Sequence, residues 1–336
     1  MTRSSVAPKI VTVFASTGSQ GSSVVRSLLQ NKNFHVRAIT RKPESKAAQA
    51  LRALGAEIIQ ADGWQKDEIA AAFKGSWAAF VNTNSEDPYF DNSNGPTEYD
   101  LGKTIIDGIV EAGTVQHLVY SSAVSTLAFS DGQIYAKAAE MKTRIGHYAT
   151  MTRHFKSVSH IYAGFYMELF ESPELTPVFG GFPYVPDSDN FLTITTPRWG
   201  KDTDVTVPWI GIREDFGDIV HGVLLEPEMY DGKVVPALSD PCSFPGVADA
   251  FQSATGKKAR YICQPSWEDF GAGISQLEDQ RQLFRFGQLT DGKYFGDEPT
   301  DTAIPAYLKA RAVEARGGDP KTAQLLTLEE WFKKKF

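Results

Sequence analysis

A chain of 336 residues with 42% hydrophobic and 22% charged side chains has ordinary globular composition, long enough for one large α/β domain and a smaller one. Its net charge of −7 and isoelectric point near 5.5 argue against nucleic acid as the main ligand, because phosphate-backbone binding wants a basic face. The two cysteines, Cys242 and Cys263, form no CxxC pair, which argues against a disulfide framework or a cysteine-rich metal site and for a reduced compartment.

In chain order, the apolar run 9–15 is too short to span a bilayer, and the residues before it lack the apolar stretch and cleavage site of a signal peptide. The expectation is a cytoplasmic protein, with nuclear entry left open and no membrane partner. From residue 9 to about 166, short β-branched runs alternate with amphipathic stretches, the signature of a parallel sheet flanked by helices. The predicted strands are 10–14, 35–40, 57–61, 78–82, 117–121 and 159–164. Val24, Val25, Leu28 and Leu29 give one apolar helical face, Ala47, Leu51 and Leu54 another, and Gly55 caps the second helix.

Beyond about Met167 the pattern becomes rich in Pro, Gly and Asp, with strand-like pieces at 192–195 and 205–208. The run 234–238 returns the chain to the main sheet, and 325–336 reads as a short amphipathic helix. The fold expected is α/β: a Rossmann-type doubly wound parallel sheet with a smaller α+β C-terminal domain. The division expected is 1–168 plus about 210–240 for the first, and about 169–209 plus 241–336 for the second.

After the first strand, Ala15-Ser16-Thr17-Gly18-Ser19-Gln20-Gly21 opens a helix. This turn has the second and third glycines of a GxxGxxG pattern, with Ala15 at the first. Gly18 lets backbone approach a pyrophosphate, Gly21 lets helix pack on strand, and the helix N-terminus offers free N–H groups to the anion. The second strand ends at Thr40 and is followed by Arg41, Lys42 and Lys46. A ribose 2′-hydroxyl wants Asp or Glu there, whereas a 2′-phosphate wants cations, so the cofactor expected is NADP(H) rather than NAD(H). Asp62, the pair Thr83 and Asn84, and Ser121 end later strands at the same carboxyl edge and are candidate lining residues; each also reads as a turn former.

These segments resemble the NmrA-like family of the atypical short-chain dehydrogenase/reductase superfamily. The resemblance runs through Thr17-Gly18-Ser19-Gln20-Gly21, Val36-Arg37-Ala38-Ile39-Thr40-Arg41, Phe80-Val81-Asn82-Thr83-Asn84, Ile161-Tyr162-Ala163-Gly164-Phe165-Tyr166 and Leu328-Glu329-Glu330-Trp331. It is especially similar to the NADPH-sensor branch typified by the human redox sensor HSCARG. The resemblance implies a nicotinamide-side lysine after strand five, matched by Lys142 first and Lys137 second, and cofactor contacts from Tyr166 and Glu168. It leaves open a regulatory protein partner, a small-molecule substrate, and a homodimer.

Ordinary short-chain reductases pair Tyr and Lys as YxxxK, but Ala138 lies four residues before Lys142 and Gln133 four before Lys137. Tyr135 remains as an acid candidate, at a spacing that does not share a helical face with Lys137. The six histidines show no ligand spacing, and no metal is expected. The reading favoured is an NADP(H)-binding redox sensor or regulator; the alternative is an NADPH-dependent oxidoreductase acting on a quinone or a specialised metabolite.

Overall fold

The computed structural model describes residues 7–90 and 94–336; residues 1–6 and 91–93 of the expected Rossmann unit lie outside the described residues. Strands and helices first alternate: β1 (Lys9–Val13), α1 (Ser19–Leu28), β2 (Phe34–Thr40), α2 (Lys46–Ala53), β3 (Glu57–Gln60), α3 (Lys66–Phe73), β4 (Ala78–Val81) and α4 (Glu98–Ala112). Then come β5 (His117–Ser122), the short α5 (Thr126–Phe129), α6 (Lys137–Met151), β6 (Ser157–Ala163), β7 (Phe165–Tyr166), β8 (Leu192–Pro197), β9 (Val207–Ile210) and α7 (Gly217–Leu225). The last part holds β10 (Val234–Ala237), β11 (Asp240–Cys242), α8 (Phe244–Thr255), β12 (Ala259–Gln264), α9 (Glu278–Thr290), α10 (Ala303–Ala315) and α11 (Leu328–Lys335).

Seven strands pair in parallel in the order β10-β6-β5-β4-β1-β2-β3, the doubly wound order with one added strand. Strands covered on both faces read as apolar runs, as β4 does, and β4 and β5 are buried at every position. Strand order reverses between β1 and β4, so the crevice beyond their carboxyl ends is the switch point where such folds bind ligands. The run 234–238 does rejoin the sheet, as β10 beside β6.

Helices α3, α4 and α6 cover one face, and α1, α7 and α10 the other. The last of these, α10, packs on α7 and puts Leu308 into the main-sheet core. Backbone approaches there are close, since a Cβ on Gly222 would meet the Leu308 carbonyl oxygen at 2.4 Å. The C-terminal region builds two small sheets, β11-β9-β7 and β12-β8, around an aromatic core containing Phe170, Phe182, Trp199, Trp209, Phe251 and Phe332. Phe182 and Trp199 are therefore core residues, and Trp331 of α11 docks into the same core. Among the described residues no helix is long and apolar enough to cross a membrane, and no three His, Cys, Asp or Glu side chains group to hold a metal ion.

The buried His221 and the half-buried His160 make stability depend on pH. Burial holds the imidazoles of His160 and His221 down at about 4, against an ordinary value of 6.5. His221 instead shares neutral hydrogen bonds with Ser27 Oγ at 3.1 Å and Asn31 Nδ2 at 3.0 Å. A folded-state value below the unfolded one means that the unfolded chain binds more protons between the two. The contribution of these two rings to stability is then fully present above about pH 6.5 and lost progressively as pH falls towards about 4. Urea unfolding at pH 7 and pH 5 is expected to show a lower midpoint at pH 5; equal midpoints would contradict these neutral rings.

Candidate functional site

The turn between β1 and α1 is held by its own backbone. Ala15 takes the left-handed conformation (φ 53°) in place of the first glycine, and its carbonyl accepts from Gly18 N at 3.1 Å. Ser16 is fully buried, its N–H and hydroxyl both donating to the Ile39 carbonyl at 3.2 and 2.8 Å. Ser16 thus anchors the turn to β2 instead of presenting its amide to a ligand. A Cβ on Gly21 would lie 2.3 Å from the Ala15 oxygen, so the close helix packing does require glycine. A Cβ on Gly18 would meet just that oxygen, at an ordinary 3.4 Å, so nothing in the protein itself demands glycine there. No side chain caps α1, and Gly18 and Ser19 are exposed. Space at Gly18 and an uncapped helix N-terminus suit a pyrophosphate.

Gln20, also on this turn, is buried; its Nε2 donates to the Tyr166 hydroxyl at 2.6 Å while its Oε1 has no partner. This bond joins the α1 turn to β7, the continuation of the chain beyond β6. Burial pushes the Tyr166 phenol up to about 12.

At the end of β2, Arg41, Lys42 and Lys46 are exposed, and Lys46 opens α2, where a cation opposes the helix dipole. Arg41 already has an anionic neighbour: Asp87 Oδ2 lies 3.5 Å from Nη2. Asp62 Oδ1 accepts from Trp64 N at 3.1 Å, and Asn84 Oδ1 from Glu86 N at 3.3 Å. Both residues therefore carry the turns that sequence also allowed.

Lys142 is the best-placed cation of the site. From α6 its Nζ reaches the Thr83 carbonyl at 2.7 Å, Thr83 Oγ1 and Asn82 Oδ1 at 3.3 Å, and Glu98 Oε1 at 2.9 Å. Glu98 in turn accepts from Thr83 Oγ1 at 2.5 Å, and both residues are buried. Helix α6 lacks a cap of its own, and Asp279 of α9 supplies one by accepting from Lys137 N and Ala138 N at 2.8 Å each. Buried Glu140 holds the short α5 through Thr126 Oγ1 and Leu127 N at 2.9 Å. Ser121 is buried at the end of β5.

Three expected residues stand apart from that arrangement. Lys137 is exposed at the helix start, its ammonium 3.5 Å from the Phe90 carbonyl. Tyr135 precedes α6 and is half exposed, and partial burial raises its phenol, the opposite of the lowering that a neighbouring lysine gives in YxxxK. The Glu168 carboxylate accepts from Ile212 N at 3.3 Å and Arg213 N at 3.0 Å, committing it to the segment before α7.

The NmrA-like family profile matches residues 7–331. An NmrA-like family domain-containing oxidoreductase, cpsB, of Aspergillus campestris is 63% identical over the whole chain and 99% of its own length. Among solved structures, NmrA, a negative transcriptional regulator in complex with NADP, superposes with a TM-score of 0.73 at 20% identity, covering 98% of this chain and 96% of that one. A Citrobacter triphenylmethane reductase complexed with NADP(H) gives 0.66 at 18% identity, covering 97% and 100%.

Proposed function

The chain belongs to the NmrA-like family, and from that premise we propose that it is an NADP(H)-dependent oxidoreductase acting on a quinone or a specialised metabolite. The reading is carried by one juxtaposition at the switch point: an uncapped helix N-terminus after β1, and the part-buried, multiply bonded ammonium of Lys142, which reaches from α6 to Thr83 at the end of β4. The oxidoreductase name of the 63% identical relative supports it. So do the NADP-bound states of the two structural neighbours.

The first-turn amides of α1 would receive the pyrophosphate, and Arg41 with Lys42 and Lys46 the 2′-phosphate. A bound nicotinamide supplies the hydride. Lys142 holds positive charge beside Thr83, and Gln20 with Tyr166 closes the side towards β6. Tyr120 and Tyr166 are kept neutral by burial, so neither phenol is tuned as an acid near pH 7. Protonation by solvent suits an acceptor such as a quinone, where positioning does most of the work.

The missing YxxxK tyrosine favours the other reading, a sensor whose cofactor occupancy tunes a partner interaction. NADPH oxidation against a panel of quinones and carbonyls separates the two: turnover on the order of one per second with any acceptor is expected of the oxidoreductase. Saturable NADPH binding with no turnover across the panel would return the chain to sensing. Arg41→Ala is expected to weaken NADPH by about 1.5–3 kcal/mol and leave NADH unchanged, the loss of a charge-assisted contact. Equal losses for both dinucleotides in a calorimetric titration would remove Arg41 from the 2′-phosphate.

A further inference from the structure

Asp87 is a buried carboxylate beside Arg41, the residue assigned above to the 2′-phosphate. Its side chain is 7% exposed, against 55% for Arg41, which it faces at 3.5 Å. It sits in the loop after β4, where Oδ1 accepts from Tyr89 N at 3.2 Å and the backbone carbonyl accepts from Phe90 N at 2.9 Å. The loop is pinned across the ends of neighbouring strands: the rings of Tyr89 and Phe90 lie 6.1 and 6.2 Å from Trp64, which follows β3. The carboxylate is therefore fixed by packing, whereas the arginine is a long exposed side chain able to turn towards a ligand.

A carboxylate beside the arginine repels a 2′-phosphate dianion and so works against binding of that form. A carboxylate at this end of a dinucleotide site instead accepts from a ribose 2′-hydroxyl. Here both groups are present, Arg41 from the end of β2 and Asp87 from the loop after β4. We propose that Asp87 is a cofactor-selecting residue: it accepts from the ribose 2′-hydroxyl of NAD(H) and opposes the 2′-phosphate of NADP(H), so that the chain uses both dinucleotides with a narrow preference. This rests on the dinucleotide reading above.

The test is a pair of titrations, NADPH and NADH, against wild type, Asp87→Asn and Asp87→Ser. Removing the charge is expected to raise the NADPH:NADH affinity ratio at least about threefold, through tighter NADPH and weaker NADH, with the gain shrinking as salt screens the charge. A rise in either folded variant supports the selecting role; a ratio unmoved or lowered in both overturns it. If wild type binds neither dinucleotide, the preceding reading falls and takes this one with it. Binding with an unmoved ratio overturns the role of Asp87 alone.

Discussion

Gly21→Ala is expected to weaken NADPH binding about 100-fold or more and to destabilise the fold by roughly 1–3 kcal/mol. The added Cβ would stand 2.3 Å from the Ala15 oxygen and 2.8 Å from Ala15 C and Ser16 Cα, all of them backbone atoms. None can swing aside as a flexible side chain would. The turn is tied to Ile39 through Ser16, and α1 is backed by α7, where Gly217 N donates to Ser23 Oγ at 2.9 Å. Either the turn opens or α1 moves outward, and both displace the amides that would bind the pyrophosphate. Gly18→Ala is the contrast: its Cβ fits the protein, so it should lose binding with an unchanged melting temperature. NADPH fluorescence titrations with thermal melts check both, and near-wild-type affinity in Gly21→Ala would contradict the cradle.

The second large effect is expected from Glu98→Ala, a loss of about 3–5 kcal/mol, because it leaves the Lys142 ammonium buried without its counter-charge. The lysine is 17% exposed and the glutamate 3%, and they meet at 2.9 Å. Breaking a buried pair from one side strands the other charge, whereas replacing both by apolar groups of similar volume removes the problem. The double variant Glu98→Leu with Lys142→Met should therefore be more stable than Glu98→Ala in urea, and should lack turnover. A single-variant loss under about 1 kcal/mol would show that water reaches the ammonium and that the pair is a surface one in energy.

The sheet was legible because parallel strands covered on both faces must be runs of apolar residues, as in Ala78-Ala79-Phe80-Val81. The strand expected at 205–208 lies at Val207–Ile210, because its pairing is set by β7 and β11, which local alternation does not reveal. The packing of α10 on α7 is likewise invisible to local patterning. Its place beside α7 depends on a glycine, Gly222, more than seventy residues before it.

In the candidate site, spacing pointed to the glycine turn and the basic end of β2, and the family resemblance to Lys142, which the fold sets against Thr83 and Glu98. What partners carry was not legible. Glu98 reads as an acid in a helix first turn, where it suits the dipole, and just the fold reveals Lys142 against it. Asp87 reads as a loop residue, and the Gln20 to Tyr166 bond spans 146 positions. Tyr135 was drawn in by its closeness to Lys137 along the chain, yet it ends outside α6.

The central claim is that the turn between β1 and α1 is a dinucleotide site. Titrating the 336-residue chain with NADPH, followed by the cofactor's own fluorescence, tests it most directly. One saturable site per chain is expected, with a dissociation constant of about micromolar or below, an affinity of roughly 8 kcal/mol, and it should disappear in Gly18→Ala. Absence of saturation up to about millimolar NADPH, at most roughly 4 kcal/mol, or undiminished binding in Gly18→Ala, would contradict it.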